Sequence, residues 1–296
     1  SNNQYNYIKT DKYNVKDKKM DDKKITPGGL NKVHSYWNEE SCGESYADGS
    51  FERDGYLAET KSRYELEPYI IDFAQFDSFK GLNVLEIGVG MGSDHSQIAQ
   101  SSPKSLTGVD LTERAIEHTQ RRFSLLGLNS NLKTDNAEDL SFNDSSFDAV
   151  YSWGVLHHSA NTEKCFDEVW RVLKPKGSAK IMIYYKYAPT GWMLWLKYGL
   201  LRFNPLINLN EIYSNHLESP GTKAYSLKEA QQLTKKFTKT KMKIQLCHGD
   251  LLEGNVGIRH TGPILKLAKI FYPRTIIKFL SKIFPFGLFL LISLEK

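Results

Sequence analysis

Cysteine is scarce in this 296-residue chain. Its three cysteines, Cys42, Cys165 and Cys247, lie far apart, with no C-x-x-C pair among them. That excludes a disulfide framework and a zinc-ribbon spacing, and fits reduced thiols in a cytoplasmic protein. Long apolar runs are missing too. The longest, Phe284 to Leu294, is far shorter than the ~20 residues that a membrane-spanning helix needs. The start of the chain is polar and Lys-rich, unlike a secretory signal. Neither sign of charge dominates: a formal net charge of +5 permits an anionic partner without demanding one. No internal repeat is visible, which argues against a solenoid. The expectation is a cytoplasmic protein, at most peripheral at a membrane, with no metal site and no nucleic-acid partner.

What the chain does have is a change of texture along its length. Residues 1–29 are polar, with the turn signal Pro27-Gly28-Gly29, and read as a flexible arm. Residues 30–80 read as a helical cover rich in aromatics, Tyr36 and Trp37 among them. Between 81 and 185 short apolar runs alternate with helical stretches. The runs are Asn83–Gly88, Leu106–Val109, Leu132–Thr134, Ala149–Ser152 and Ala179–Tyr184; the helices include Glu113–Leu126 and Thr162–Leu173. That alternation predicts an α/β fold, a doubly wound Rossmann-like sheet. Residues 186–225 read as a lid insertion with an apolar stretch from Trp192 to Phe203. Residues 226–296 return to the core. Ser226 and Glu229 predict a capping box opening a helix to about Phe237. Met242–Leu246 and Leu288–Leu294 complete seven strands, and a basic amphipathic insertion spans 262–285.

The chemistry-bearing motif is Val84-Leu85-Glu86-Ile87-Gly88-Val89-Gly90-Met91-Gly92. A strand ends, the chain turns tightly and a helix begins, and glycines let backbone approach a ligand closely. The spacing is G-x-G-x-G. Dinucleotide binders prefer G-x-G-x-x-G, and Ser93 stands where the last glycine would fall. Asp110 ends the next strand, where a carboxylate can accept both ribose hydroxyls of a nucleoside. Three further elements follow in order: Asp135 to Leu140; Ser145-Ser146-Phe147-Asp148-Ala149-Val150-Tyr151-Ser152-Trp153-Gly154-Val155-Leu156-His157-His158; and Glu168-Val169-Trp170-Arg171-Val172-Leu173-Lys174-Pro175-Lys176-Gly177.

This series resembles the class I S-adenosylmethionine (SAM)-dependent methyltransferases, in their broad methyltransferase-11-like group, closely over about residues 80–185 and loosely elsewhere. Lys176 departs from the pattern, standing where many relatives have glycine. The resemblance implies SAM as cofactor, S-adenosylhomocysteine as product and a set of binding residues. Gly88, Gly90 and Gly92 would line the methionine end, with Glu86 supporting that loop. Asp110 would hold the ribose, with Leu111 beside the adenine. Asn136, Ala137 and Glu138 would bracket the adenine, and Trp153 and Gly154 would close the pocket. Asp148, opening a strand, reads as structural.

A sulfonium methyl is already electrophilic, so alignment supplies much of the rate and a base is needed only for an acceptor that must lose a proton. His157 and His158 follow the fourth strand at the ligand-binding edge and are the candidates to take that proton or orient the acceptor. The expected reaction is methylation of a small-molecule acceptor, most simply O-methylation of a lipid-linked, glycan or secondary-metabolite substrate. N-, S- or C-methylation of a soluble metabolite stays open, as does SAM binding without turnover. Residues 264–284 contain Lys266, Lys269, Arg274, Lys278 and Lys282 and no acid. Either this segment contacts a membrane surface or it is a lid helix whose apolar face is core. A nucleic-acid methyltransferase is disfavoured, because Ser152-Trp153-Gly154-Val155 replaces the acidic-Pro-Pro-aromatic tetrapeptide.

Overall fold

A computed structural model describes residues 30–39, 51–253 and 270–296. The proposed arm, Cys42, Lys266 and Lys269 lie outside the described residues. The core is a seven-stranded sheet in the order β3-β2-β1-β4-β5-β7-β6. Its strands are β1 (Asn83–Ile87), β2 (Ser105–Asp110), β3 (Asn131–Thr134), β4 (Phe147–Trp153), β5 (Leu173–Tyr184), β6 (Lys239–Gln245) and β7 (Phe289–Glu295). The first five are parallel, and β7 runs antiparallel between β5 and β6. The ordinary dinucleotide-binding sheet runs 3-2-1-4-5-6, so the inserted strand sets this sheet apart.

Parallel strands covered on both faces read as continuous apolar runs, and β1 shows why. Leu85 and Ile87 join one buried cluster with Val150, Ile181, Ile183, Leu290 and Ile292. Val84, between them, faces the other side, with Leu106, Ala149 and Tyr151. On the first face α6 (Thr162–Val172) and α9 (Leu227–Leu233) pack through Phe166, Val169 and Ala230. On the second lie α3 (Tyr69–Ala74), α4 (Ser93–Gln100) and α5 (Glu113–Leu126), through Ile70, Ile98 and Phe123. The other helices are α1 (Leu30–Glu39), α2 (Arg53–Leu66), α7 (Pro189–Tyr198), α8 (Leu209–His216) and α10 (Arg274–Ile283).

Side chains fix the helix starts. Thr112 accepts the Ala115 N–H to begin α5, and Asn161 accepts the Lys164 N–H to begin α6. The capping box at Ser226 and Glu229 is present, but α9 stops at Leu233, short of the predicted Phe237. Beyond it Thr234 turns its hydroxyl back onto the Ala230 carbonyl, and Phe237 buries itself in the core instead of extending the helix.

Helix α2 is bound to the core by charge as well as packing. Arg63 makes two hydrogen bonds to Asp94, at 3.0 and 2.8 Å, and Tyr64 and Tyr151 donate to the same carboxylate. Burial alone would raise the Asp94 pKa, yet Arg63 and the two hydroxyls hold it below the usual carboxylate range. Arg122, fully buried on α5, donates to Glu59 of α2 at 2.5 Å. Such pairs are retained because removing one partner strands a buried charge, at about 3–5 kcal/mol.

Candidate active site

The carboxyl ends of the parallel strands gather the residues singled out above. Gly88, Gly90 and Gly92 all have positive φ, at 85°, 51° and 78°. A Cβ on Gly88 would sit 2.1 Å from Val155 Cγ2, and one on Gly92 would sit 2.9 Å from Thr119 Oγ1. The loop after β1 therefore has both the backbone angles and the tight packing that only glycine allows. Asp110 meets this loop directly. Its Oδ2 accepts the Gly90 N–H at 3.1 Å, and its Oδ1 accepts the backbone and hydroxyl of Thr112. Burial raises the Asp110 pKa, and those donors work against the shift. Three of the carboxylate's roughly four lone-pair sites are thus in use.

Glu86 lies one step deeper. It is buried, and its Oε2 is 2.8 Å from His95 Nδ1 on α4, while His95 Nε2 is 2.7 Å from Ser130 Oγ. Ser130 donates its own proton to the Leu106 carbonyl. Ser130 therefore accepts from His95 Nε2–H, and His95 Nδ1 is left to accept from a protonated Glu86. Charge agrees with geometry. Burial, with Asp94 and Asp110 nearby, pushes Glu86 well up, and burial lowers His95 to about 3. Glu86 thus braces α4 beneath the glycine loop.

Past β3, Asn136 accepts the Glu138 N–H, and the Glu138 carboxylate accepts the Asn161 N–H at 2.9 Å. Glu138 thereby ties the turn after β3 to the start of α6. Ala137 packs on the sheet core. Leu111 follows Asp110, half-buried. Past β4, Gly154 has φ 75°. The Trp153 indole turns into an aromatic cluster with Tyr69, Phe73 and Phe289. Asp148 accepts from Asn83 and Lys174 at the opposite end of the strands, a structural position.

The two histidines differ. His157 is fully buried, its ring tilted by 42° against the Tyr184 ring at 4.0 Å, and neither ring nitrogen has a hydrogen-bond partner. Burial, with His158 and Lys223 nearby, holds its pKa well below the ordinary value. His158 is engaged on both sides: Nδ1 lies 2.8 Å from Ser219 Oγ and 3.1 Å from Thr222 Oγ1, and Nε2 lies 3.4 Å from Glu218 Oε2. Tyr184 donates to the same Glu218 oxygen at 2.8 Å. Glu218 went unnoticed in the sequence because it comes from the loop after α8, and only the fold brings it to the histidines. Trp37 of α1 lies edge-on against His158 at 5.4 Å. The same helix reaches α5, where His34 contacts Glu113 and Asn38 accepts the Arg114 N–H.

A glycine loop at the end of β1, beside an acid at the end of β2, is the arrangement that nucleoside-cofactor sites use in doubly wound sheets. Residues 84–177 match the methyltransferase domain family. Together with the seven-stranded sheet, this gives that segment the character of a class I SAM-dependent methyltransferase domain, a superfamily whose methyl donor is SAM. The chain is 36% identical over 117 residues to a fatty-acid O-methyltransferase of Mycolicibacterium smegmatis, covering 39% of this chain and 42% of that one. It is 30% identical over 140 residues to a sterol 24-C-methyltransferase of Neurospora crassa, covering 47% and 33%. It spans less than half the length of these curated relatives. A chain of the complex between the Haloferax volcanii Trm112 methyltransferase activator and a methyltransferase shares the fold, with a TM-score of 0.52 at 14% identity over 86% of this chain and 98% of that one.

Proposed function

We propose that the protein transfers the methyl group of SAM to an oxygen of a small apolar or lipid-linked acceptor presented at a membrane surface. The observation that carries the acceptor class is a face of α10. Ile276, Phe279 and Ile283 stand three and four residues apart and are each more than half exposed, whereas Ile277 alone turns fully inward. This disfavours a lid helix whose apolar face is core. Trp192, Leu196, Leu201 and Phe203 are exposed on and beyond α7. Buried Asp250 joins the two regions: it accepts from Thr190 at the start of α7, and its carbonyl accepts the Tyr272 hydroxyl just ahead of α10. Exposed apolar faces with Lys282 alongside suit an interface with anionic lipid. None of the described helices is long and apolar enough to cross a membrane. The two curated relatives, named for fatty-acid and sterol methylation, support an apolar acceptor.

In this reading residues 30–80 cover the cofactor, 81–185 hold it, and 186–225 with 262–285 form the acceptor side. When bound, SAM supplies a methyl group already activated on sulfur. The loop at Gly88, Gly90 and Gly92 takes the methionine end through backbone, since all three have positive φ and a Cβ on Gly88 or Gly92 would clash. Asp110 accepts the ribose hydroxyls, exchanging the Gly90 N–H for one of them. Leu111, Asn136, Ala137 and Glu138 border the adenine, and Gly154 contributes backbone after β4. Trp153 acts from behind, through the aromatic cluster that fixes the turn. Trp37 excludes water above His158. The two histidines are the groups that orient the acceptor oxygen, His158 through its carboxylate neighbour Glu218 and His157 through ring nitrogens that no protein group occupies. The test is transfer of isotope-labelled methyl from SAM into a host-cell extract separated into lipid and aqueous fractions. Label in the lipid fraction supports the proposal, label confined to the aqueous fraction removes the lipid acceptor, and no label at all removes the transferase.

A further inference from the structure

The strongest feature that methyl transfer leaves unexplained is the cluster around His157. One nitrogen from each histidine and one Glu218 oxygen all lie within 4.8 Å of one another. Two details single it out. Both ring nitrogens of His157 are buried without a partner, a state that is costly unless something is bound. The second detail is the setting of His158: its Nδ1 lies 2.8 Å from Ser219 Oγ and 3.1 Å from Thr222 Oγ1, while its Nε2 lies 3.4 Å from the Glu218 oxygen, longer than a close charge-assisted hydrogen bond.

We infer that His157, His158 and Glu218 form a binding site for a first-row divalent cation at the acceptor end of the cleft. Two imidazoles and a carboxylate are the donor set of open zinc and iron(II) sites, which keep positions free for an exogenous oxygen ligand. Donors around such an ion sit about 2.0–2.2 Å from it, so closing this cluster takes only small side-chain movements. The outer layer is also in place. Ser219 and Thr222 fix the ring of His158, and Tyr184 donates to Glu218, the hydrogen-bonded surroundings that metal ligands usually have. The Lys223 ammonium is drawn off onto the Ser159 carbonyl. Sequence spacing predicts no metal here, because the third donor lies on a distant loop. The use of the ion, to hold an acceptor oxygen, rests on the methyl-transfer reading; its binding does not.

The experiment uses the full chain, stripped with a chelator and titrated with cobalt(II) followed by visible absorbance, and separately with zinc(II) by calorimetry. One equivalent should saturate, with the visible bands of a nitrogen-ligated cobalt ion. Glu218→Gln, at a partly exposed position, and His157→Phe should each weaken binding at least tenfold, with thermal melting of Glu218→Gln near that of the parent. Absence of saturable binding overturns the site. Equal affinity in the variants also overturns it, by placing the metal on surface histidines. So does an imidazolium at His158 whose titration by NMR depends on Glu218, because a proton then occupies the gap. SAM calorimetry on the same samples separates the two proposals: cobalt binding without SAM binding removes the methyltransferase reading and leaves the cation site standing.

Discussion

Trp37 and His158 meet edge to face, 5.4 Å between ring centroids. Through this contact a helix outside the matched methyltransferase segment reaches the loop after β4, while its Asn38 reaches the start of α5. Helix α1 thus spans the crevice where the strand order reverses, the usual ligand position in such sheets. Trp37→Ala should speed SAM dissociation several-fold in stopped-flow measurements and leave the melting temperature nearly unchanged. An unaltered dissociation rate would mean that α1 is not a cover.

The glycine loop makes a paired prediction. Gly81 and Gly88 both have positive φ, but a Cβ on Gly81 meets nothing, whereas one on Gly88 drives into Val155. Gly81→Ala should cost only the backbone strain, about 1–2 kcal/mol, and spare SAM affinity. Gly88→Ala should lower SAM affinity at least tenfold, and so should Asp110→Asn. Calorimetry on the three variants checks the contrast, and equal affinity for all would remove the loop from the cofactor site.

The Glu86–His95 pair sets a pH dependence. In the native state the pair holds one proton. Unfolded, it holds two protons below the ordinary Glu value of 4.5, one between 4.5 and the ordinary His value of 6.5, and none above. Stability rises with pH where the unfolded state binds more protons and falls where it binds fewer. The raised Glu86 pKa therefore makes stability fall as pH climbs past 6.5, and the lowered His95 pKa makes it fall as pH drops below 4.5. Each slope approaches about 1.4 kcal/mol per pH unit. Glu86→Gln keeps a hydrogen-bond donor to His95 without titrating, so urea midpoints of the variant should lose the alkaline decline. If parent and variant run parallel above pH 6.5, Glu86 is ionised in the native protein.

Lys176 sits at φ 65° within β5, where the register against β4 shifts between Leu173 and Ser178. A side chain in this left-handed region costs about 1–2 kcal/mol. Lys176→Gly should therefore raise stability, by about 1 kcal/mol or less once the freer unfolded chain is counted, as read from denaturant midpoints. A drop in stability would show that the Lys176 side chain contributes more than its backbone angle costs.

Replacing Ile276, Phe279 and Ile283 of α10 together with serine should leave the melt intact and cut sedimentation with phosphatidylglycerol vesicles at least fivefold. Parent protein that never sediments with vesicles would end the membrane-surface proposal.

The sheet and its ligand edge were legible because buried parallel strands must be apolar and must end in residues with special backbone angles. Val84 to Gly92 carries both signals, and Asp110 closes the next strand with a carboxylate. The capping box at Ser226 was legible because it is local. Glu218 was not, since its pairing with His158 depends on a loop returning over the sheet. Nor was the Arg122–Glu59 pair, although Arg122 shares the face of α5 that buries Ala115, Ile116, Thr119 and Phe123. The partner of Glu86 was not legible for the same reason: His95 is brought to it by helix packing. The outward face of α10 shows that amphipathic spacing identifies an apolar stripe but not whether protein covers it.

The placement of β7 between β5 and β6 has a bearing on how the chain is made. Every strand of the cofactor half, through β5, leaves the ribosome before any of the last two. Strand β6 emerges next with no neighbour waiting, because its place at the sheet edge exists only once residues 289–295 have docked on β5. The nascent chain can thus assemble the cofactor half early, while the other end of the sheet stays open until the final strand arrives.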